Sequence, residues 1–218
     1  MDKYLEDLVV PENLPKSGGV IQLNKDITHK IIEDVNEISL LILYPKLLVK
    51  FYEAGVFEKN GIDIDKRIID RVKHFFHIRK NRLSQLDNSE YVELKAWVNS
   101  LYNNELRTYT SIIFDLYRQY MEKVWSDFIV DNPYNWLYID TDTSFFSGGP
   151  KSLDIFKKIG IEYSVTHHEF FYIERAKKYV ITDYDNITIK GHRFKPDEII
   201  GIMKSKLRNK KIDSLLND

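Results

Sequence analysis

Asp140 and Asp142 stand two residues apart in the stretch Tyr138-Ile139-Asp140-Thr141-Asp142-Thr143-Ser144-Phe145-Phe146. Aromatic and aliphatic residues flank this polar centre, the pattern of two strand ends meeting at a tight turn. In extended chain, residues two apart project to one face, so the two carboxylates would share an edge. Buried there, they repel each other and need a cation or a hydrogen-bond donor between them. Hard oxygen ligands of this kind suit Mg²⁺ or Mn²⁺. The alternative is a hairpin whose aspartates only favour the turn. His167-His168-Glu169 also offers metal-ligand types, but adjacent strand residues point to opposite faces, which leaves a solvent-side cluster. Ser147-Gly148-Gly149-Pro150-Lys151 lacks the spacing of a phosphate-binding loop and its proline removes an amide donor; it reads as a turn.

The elements that must position these residues are legible in the hydrophobic pattern. Pro11, Pro15, Gly18 and Gly19 punctuate an irregular lead-in with a short strand near Val20–Leu23. Lys30 to Leu43 reads as a strand stopped by Tyr44-Pro45, with a short helix over Lys46–Gly55. A helix from Ile64 to about Leu86 carries Ile68, Ile69, Val72, Phe75, Phe76 and Ile78 on its apolar side. After the turn Leu86-Asp87-Asn88-Ser89, a second helix runs from about Glu90 to Tyr102, antiparallel to the first. Residues 106–129 form a longer helix whose stripe of Ile112, Ile113, Leu116, Tyr117, Tyr120, Val124 and Phe128 is core. Beyond the hairpin come a small helix near 152–158, strands near 168–174, 177–183 and 186–190, and a basic helix at about 196–216.

The chain of 218 residues can bury one substantial core, with 43% apolar and 30% charged residues. Net charge of −1 means that any DNA binding must come from local patches. Cysteine is absent, which excludes disulfides and thiolate metal sites. No apolar run reaches transmembrane length and the first residues lack a signal-peptide core. An intracellular, cytoplasmic protein without membrane partners is the expectation.

Four segments occur in a meaningful order. Leu43-Tyr44-Pro45-Lys46-Leu47-Leu48 resembles the SLYPSII segment in the first catalytic motif of family B DNA polymerases. Lys95-Ala96-Trp97-Val98-Asn99-Ser100-Leu101-Tyr102 matches that family's KxxxNSxY fingers motif at every specified position. Tyr138–Phe145 resembles its YxDTDS palm motif, and Lys177-Lys178-Tyr179 with Lys190-Gly191 its later KxY motif and follow-on. The resemblance covers about residues 10–195 and implies an α+β fold: an antiparallel-sheet palm with helices on one face and an inserted antiparallel helical hairpin, the fingers. Palm would span 1–55 and 104–195, fingers 56–103, and a vestigial basic thumb helix 196–218. Exonuclease, amino-terminal and most thumb domains have no counterpart.

Roles follow from the resemblance. Asp142, with Asp140 as neighbour, would be the palm carboxylates that bind Mg²⁺ or Mn²⁺. Lys95 and Asn99, four apart on one helix face, would meet the triphosphate, joined by Arg79 or Arg82 from the facing helix. Tyr44 would lie beneath the incoming sugar and Tyr102 beside the nascent pair; without the resemblance, both are equally readable as core. Lys177, Tyr179 and Lys190 would hold the primer backbone. Lys204, Lys206, Arg208, Lys210 and Lys211 could touch duplex phosphates or form a solvated face. Primer–template DNA would be the partner, alongside replication proteins or a separate chain supplying missing domains.

The pattern breaks at one position. The family's first motif carries a carboxylate five residues before its tyrosine, and here that residue is Ser39. A neutral hydroxyl is a poor substitute beside Mg²⁺. Glu37 and Asp34 are the available replacements: Glu37 is displaced by roughly 6–7 Å along the strand, and Asp34 demands a five-residue insertion. Asn103 stands where the family has glycine, and Thr143 replaces the last serine of YxDTDS. The expectation is a polymerase-like protein whose own catalysis is impaired, with a working polymerase and a structural replication subunit as alternatives.

Overall fold

The computed structural model describes residues 2–11, 22–23, 30–81, 89–133, 136–175, 178–183 and 186–190, together with residues 201, 204 and 208. Its contacts divide into two units: Met1–Ile21, Leu40–Phe128 and Asp154–Glu162 in the first, and Gln22–Ser39, Ile129–Leu153 and Tyr163–Asp218 in the second. The architecture is α+β, with a largely antiparallel sheet.

The second unit is built on that sheet. Its strands are β1 (Gln22–Leu23), β2 (Lys30–Leu41), β3 (Trp136–Asp140), β4 (Thr143–Ser147), β5 (Glu162–Arg175), β6 (Lys178–Asp183) and β7 (Asn186–Lys190). They lie in the order β1-β3-β4-β2-β5-β6-β7, so the β3–β4 hairpin is inserted beside β2. Opposed residues of neighbouring strands share a face, and the register sets Glu37 against Phe145, Tyr138 against Phe145 and Ile173 against Tyr179. On this face Val35, Tyr138, Phe145, Phe171, Ile173, Tyr179 and Ile181 form one apolar cluster. Phe145 and Phe171 stack at 4.3 Å between ring centroids.

The first unit is helical: α1 (Leu43–Glu53), α2 (Val56–Lys59), α3 (Lys66–Asn81), α4 (Ser89–Ser100), α5 (Thr110–Asp131, as far as Phe128) and α6 (Asp154–Lys158). On α3 the buried residues Ile69, Val72, Phe75 and Ile78 recur every three positions, and Phe75 and Ile78 meet Leu94 and Val98 of α4. Arg71 lies 4.3 Å over the Trp97 ring, while His74 bonds Glu90 at 2.7 Å and Phe75 stacks on Tyr91. Higher numbers on α3 therefore meet lower numbers on α4, and the pair is antiparallel. The linking turn and Arg82 lie outside the described residues.

Three expectations shift. Strand β2 ends at Leu41, and α1 begins at Leu43 rather than after the proline. Pro45 fits the third helical position because its missing N–H would have no intrahelical acceptor there. The reversal is made at Ile42, in left-handed backbone at φ 54°, an unfavourable state for a β-branched residue. Strand β5 starts at Glu162, six residues before the expected position 168, because its first half is a polar, partly exposed ribbon. Finally, His168 and Glu169 are buried while His167 is exposed; neighbouring side chains diverge as expected, but this is no solvent-side cluster.

Candidate functional site

Asp140 is the last residue of β3 and pairs with Thr143 of β4, so Thr141 and Asp142 alone make the turn. Thr141 is buried with φ 31°. Asp142 thus stands in the turn and not on a strand, and alternation along a strand does not govern its direction relative to Asp140. On the other side of β4, Thr143 pairs with Ser39 of β2. Ser39, Thr143 and Asp140 therefore form one lateral row across three strands, which sets the Ser39 position in line with the aspartate hairpin.

One step along the same face lies Glu37. The Ser39 hydroxyl donates to Glu37 Oε1 at 2.9 Å, and His168 Nε2 sits 2.9 Å from Glu37 Oε2. Both carboxylate oxygens are engaged, in a setting where the His168 side chain is 6% exposed and that of Glu37 16%. His168 Nδ1 and Glu169 Oε2 are buried without a hydrogen-bond partner. No sequence signal marked His168 as the partner of Glu37, since 131 residues separate them.

Tyr179 reports on the charge gathered here. Its ring belongs to the sheet core, 5.0 Å from Phe145 and 5.5 Å from Phe171. Burial pushes its phenol well above the ordinary value, and the charges of Glu37 and Asp140, then Tyr138 and Asp142, add to the shift. Glu37, Asp140 and Asp142 are thus within electrostatic reach of one hydroxyl. Tyr179, expected to hold the primer backbone, is 7% exposed. Among the described residues, no three acidic or histidine side chains are gathered closely enough to hold a metal ion.

Asp34 lies elsewhere. It precedes Val35, which pairs with Ser147 at the far end of β4, and it takes left-handed backbone at φ 51°. Its side chain is 67% exposed, and His167 Nε2 lies 3.8 Å from its carboxylate. Gly148 and Gly149 follow β4 with φ 68° and 77°, backbone that favours glycine, and the Gly148 N–H donates to the Asp34 carbonyl. The expected turn at 147–151 is therefore a strand-end reversal. Lys190 is the partner of Tyr179 across β6 and β7. Lys177 lies outside the described residues, as do Lys206, Lys210 and Lys211; Lys204 and Arg208 are helical and exposed.

In the helical unit two distant motifs converge on one aromatic cluster. Tyr44 packs 4.9 Å from Phe114 and 5.9 Å from Tyr117, and Tyr102 lies 5.0 Å from Phe114. The hydroxyls of Tyr102 and Tyr117 are 3.1 Å apart. Burial raises the phenols of Tyr102 and Tyr117 above their ordinary range, while Tyr44, Tyr102 and Phe114 stay partly exposed. The sequence marked Phe114 in no role, though it joins the two motif tyrosines. Lys95 and Asn99 are exposed one turn apart on α4. Arg79 closes the last turn of α3 with its guanidinium 2.6 Å from the Glu162 carboxylate.

No protein-family model matches the chain, and no curated protein matches it in sequence. The chain is similar in structure to the family B DNA polymerase from the hyperthermophilic archaeon Pyrobaculum calidifontis, with a TM-score of 0.54 and 17% identity. The match covers 83% of this chain and 29% of the polymerase, so this chain spans less than a third of that protein's length. At that identity the likeness is one of fold. Among the described residues, no helix is long and apolar enough to cross a membrane.

Proposed function

We propose that this chain is a polymerase-like palm and fingers that binds primer–template DNA and the triphosphate of a nucleotide, with a degenerate two-metal centre. It acts as an accessory or inactivated polymerase in DNA replication, alongside other replication proteins. The observation that carries the reading is the Ser39–Glu37–His168 network. Two divalent ions need carboxylates from two strands, open toward the ions. Here the first-motif position is a hydroxyl, and the nearest substitute carboxylate already has both oxygens bound within the protein. Mg²⁺ or Mn²⁺ therefore does not fit this donor set as a bridging pair. Loss of second-shell support at a metal site costs about 10–100-fold, and loss of a ligand should cost more. Lys95, Asn99 and Arg79 serve the phosphates, and Tyr44 and Tyr102, held in one cluster with Phe114, serve the sugar and base.

Gel shift with primer–template DNA and primer extension with Mg²⁺ or Mn²⁺ test this together. The expected result is salt-sensitive DNA binding, no extension by the natural chain, and Mn²⁺-dependent extension gained by Ser39→Asp. Robust extension that depends on Asp142 in the natural chain would replace the reading with a working polymerase. Absence of salt-sensitive DNA binding would replace it with a structural replication subunit.

A further inference from the structure

We propose that Glu162 is an internal stand-in for phosphate: its carboxylate occupies the guanidinium of Arg79 and must leave before a polyphosphate can bind there. The inference rests on reading Arg79 and Lys95 as phosphate-facing, and adds a residue which that reading does not contain. Glu162 opens β5 and Arg79 ends α3, 83 residues apart in sequence, yet their side chains meet at 2.6 Å. Carboxylate and phosphate oxygens compete for the same guanidinium donors, and here Arg79 Nη1 already donates to Glu162 Oε2.

Two other cations of the helical unit are not neutralised in this way. Lys46 Nζ lies 5.1 Å over the ring of Phe76, one turn before Arg79 on α3, and has no acidic partner among the described residues. Lys95, exposed on α4, also has none among them. Within the helical unit Lys46 and Lys95 are thus open cations, and Arg79 is an occupied one. Arg79 is 27% exposed and Glu162 51%, which keeps the pair accessible to exchange and screened by solvent. Such pairs are worth little, about 1 kcal/mol at most, or about fivefold in affinity. A polyanion engaging several cations overcomes that handicap, whereas a single carboxylate or monophosphate gains too little. Glu162 thus raises the threshold for weakly charged ligands.

The test uses inorganic tripolyphosphate as the probe, with binding to the full chain followed by calorimetry at low and high salt. Glu162→Gln should tighten binding about two- to fivefold at low salt, with a smaller gain at high salt. The gain should vanish in the Arg79→Ala background. Both side chains are at the surface, so the fold should tolerate these changes; Glu162→Asp is a second variant that keeps the charge and should bind as the natural chain does. Unchanged or weakened binding by Glu162→Gln, with Arg79→Ala still weakening it, overturns the competition while the phosphate reading stands. Binding that is absent, or indifferent to both Arg79→Ala and Lys95→Ala, overturns the phosphate reading and the competition with it.

Discussion

Replacing His168 by leucine strips Glu37 of the partner at one of its carboxylate oxygens. The pair is nearly enclosed, with side-chain exposures of 6% and 16%. Removing one partner of a buried hydrogen bond to a carboxylate costs about 1–3 kcal/mol, because the acceptor left in the interior is no longer satisfied. Ser39 continues to donate to the other oxygen at 2.9 Å, and Glu37 keeps some solvent. Both facts place the loss in the middle of that range, about 2 kcal/mol. For a chain of this length each kcal/mol moves the midpoint by about 2–4 °C, so His168→Leu should melt roughly 4–8 °C lower if the change is felt in one cooperative transition. Glu37→Leu with His168→Leu removes both polar partners and should recover most of that loss. Urea unfolding of the natural chain, both single variants and the double variant yields the coupling energy directly. A His168→Leu loss below about 1 kcal/mol, or a double variant no better than the sum of the singles, would refute the claim that this network ties up Glu37.

Asp2 accepts from Lys50, Tyr120 and the Tyr4 amide; burial alone would raise its pKa, but these bonds together hold it below the ordinary carboxylate value. Its contribution is therefore present above about pH 4 and lost as pH falls through the depressed folded value, so Asp2→Asn should flatten the acid limb of a stability–pH curve; an unchanged limb refutes the contact. At the other extreme, burial raises Tyr4 to about 12, with the Asp127 carboxylate adding to the shift, and Tyr102, Tyr117, Tyr120 and Tyr179 are also raised. Unfolded tyrosines ionise near about pH 10, so stability should be intact below that pH and fall as pH rises toward 12, seen as cooperative phenolate absorbance coinciding with unfolding. Independent titration of these phenols in the folded chain would count against it.

Much of the architecture was written in local pattern. The apolar spacing of α3, α4 and α5 places Phe75, Leu94 and Tyr117 inside, since side chains three or four apart share a helix face whatever the rest of the chain does. The tight turn at Thr141–Asp142 could likewise be read from its polar centre between apolar flanks. Local rules failed where a residue obeys two environments. Pro45 looked like a stop and became part of a first helical turn, because helix starts leave unused N–H positions. His168 and Glu169 looked solvent-facing, since polarity is the usual sign of exposure, and only the folded chain buries them.

Residue types and spacing thus determined the α+β class, the helical hairpin and the aspartate turn, along with the absence of a carboxylate at position 39; all of these are short-range properties of the chain. Tertiary structure alone decided that Glu37 is bound by Ser39 and His168, that Tyr44 and Tyr102 share one cluster with Phe114, and that Arg79 already holds a carboxylate. Each of those is a meeting of groups whose partners are chosen by strand register and helix packing, and no spacing in the sequence encodes which distant side chain will arrive.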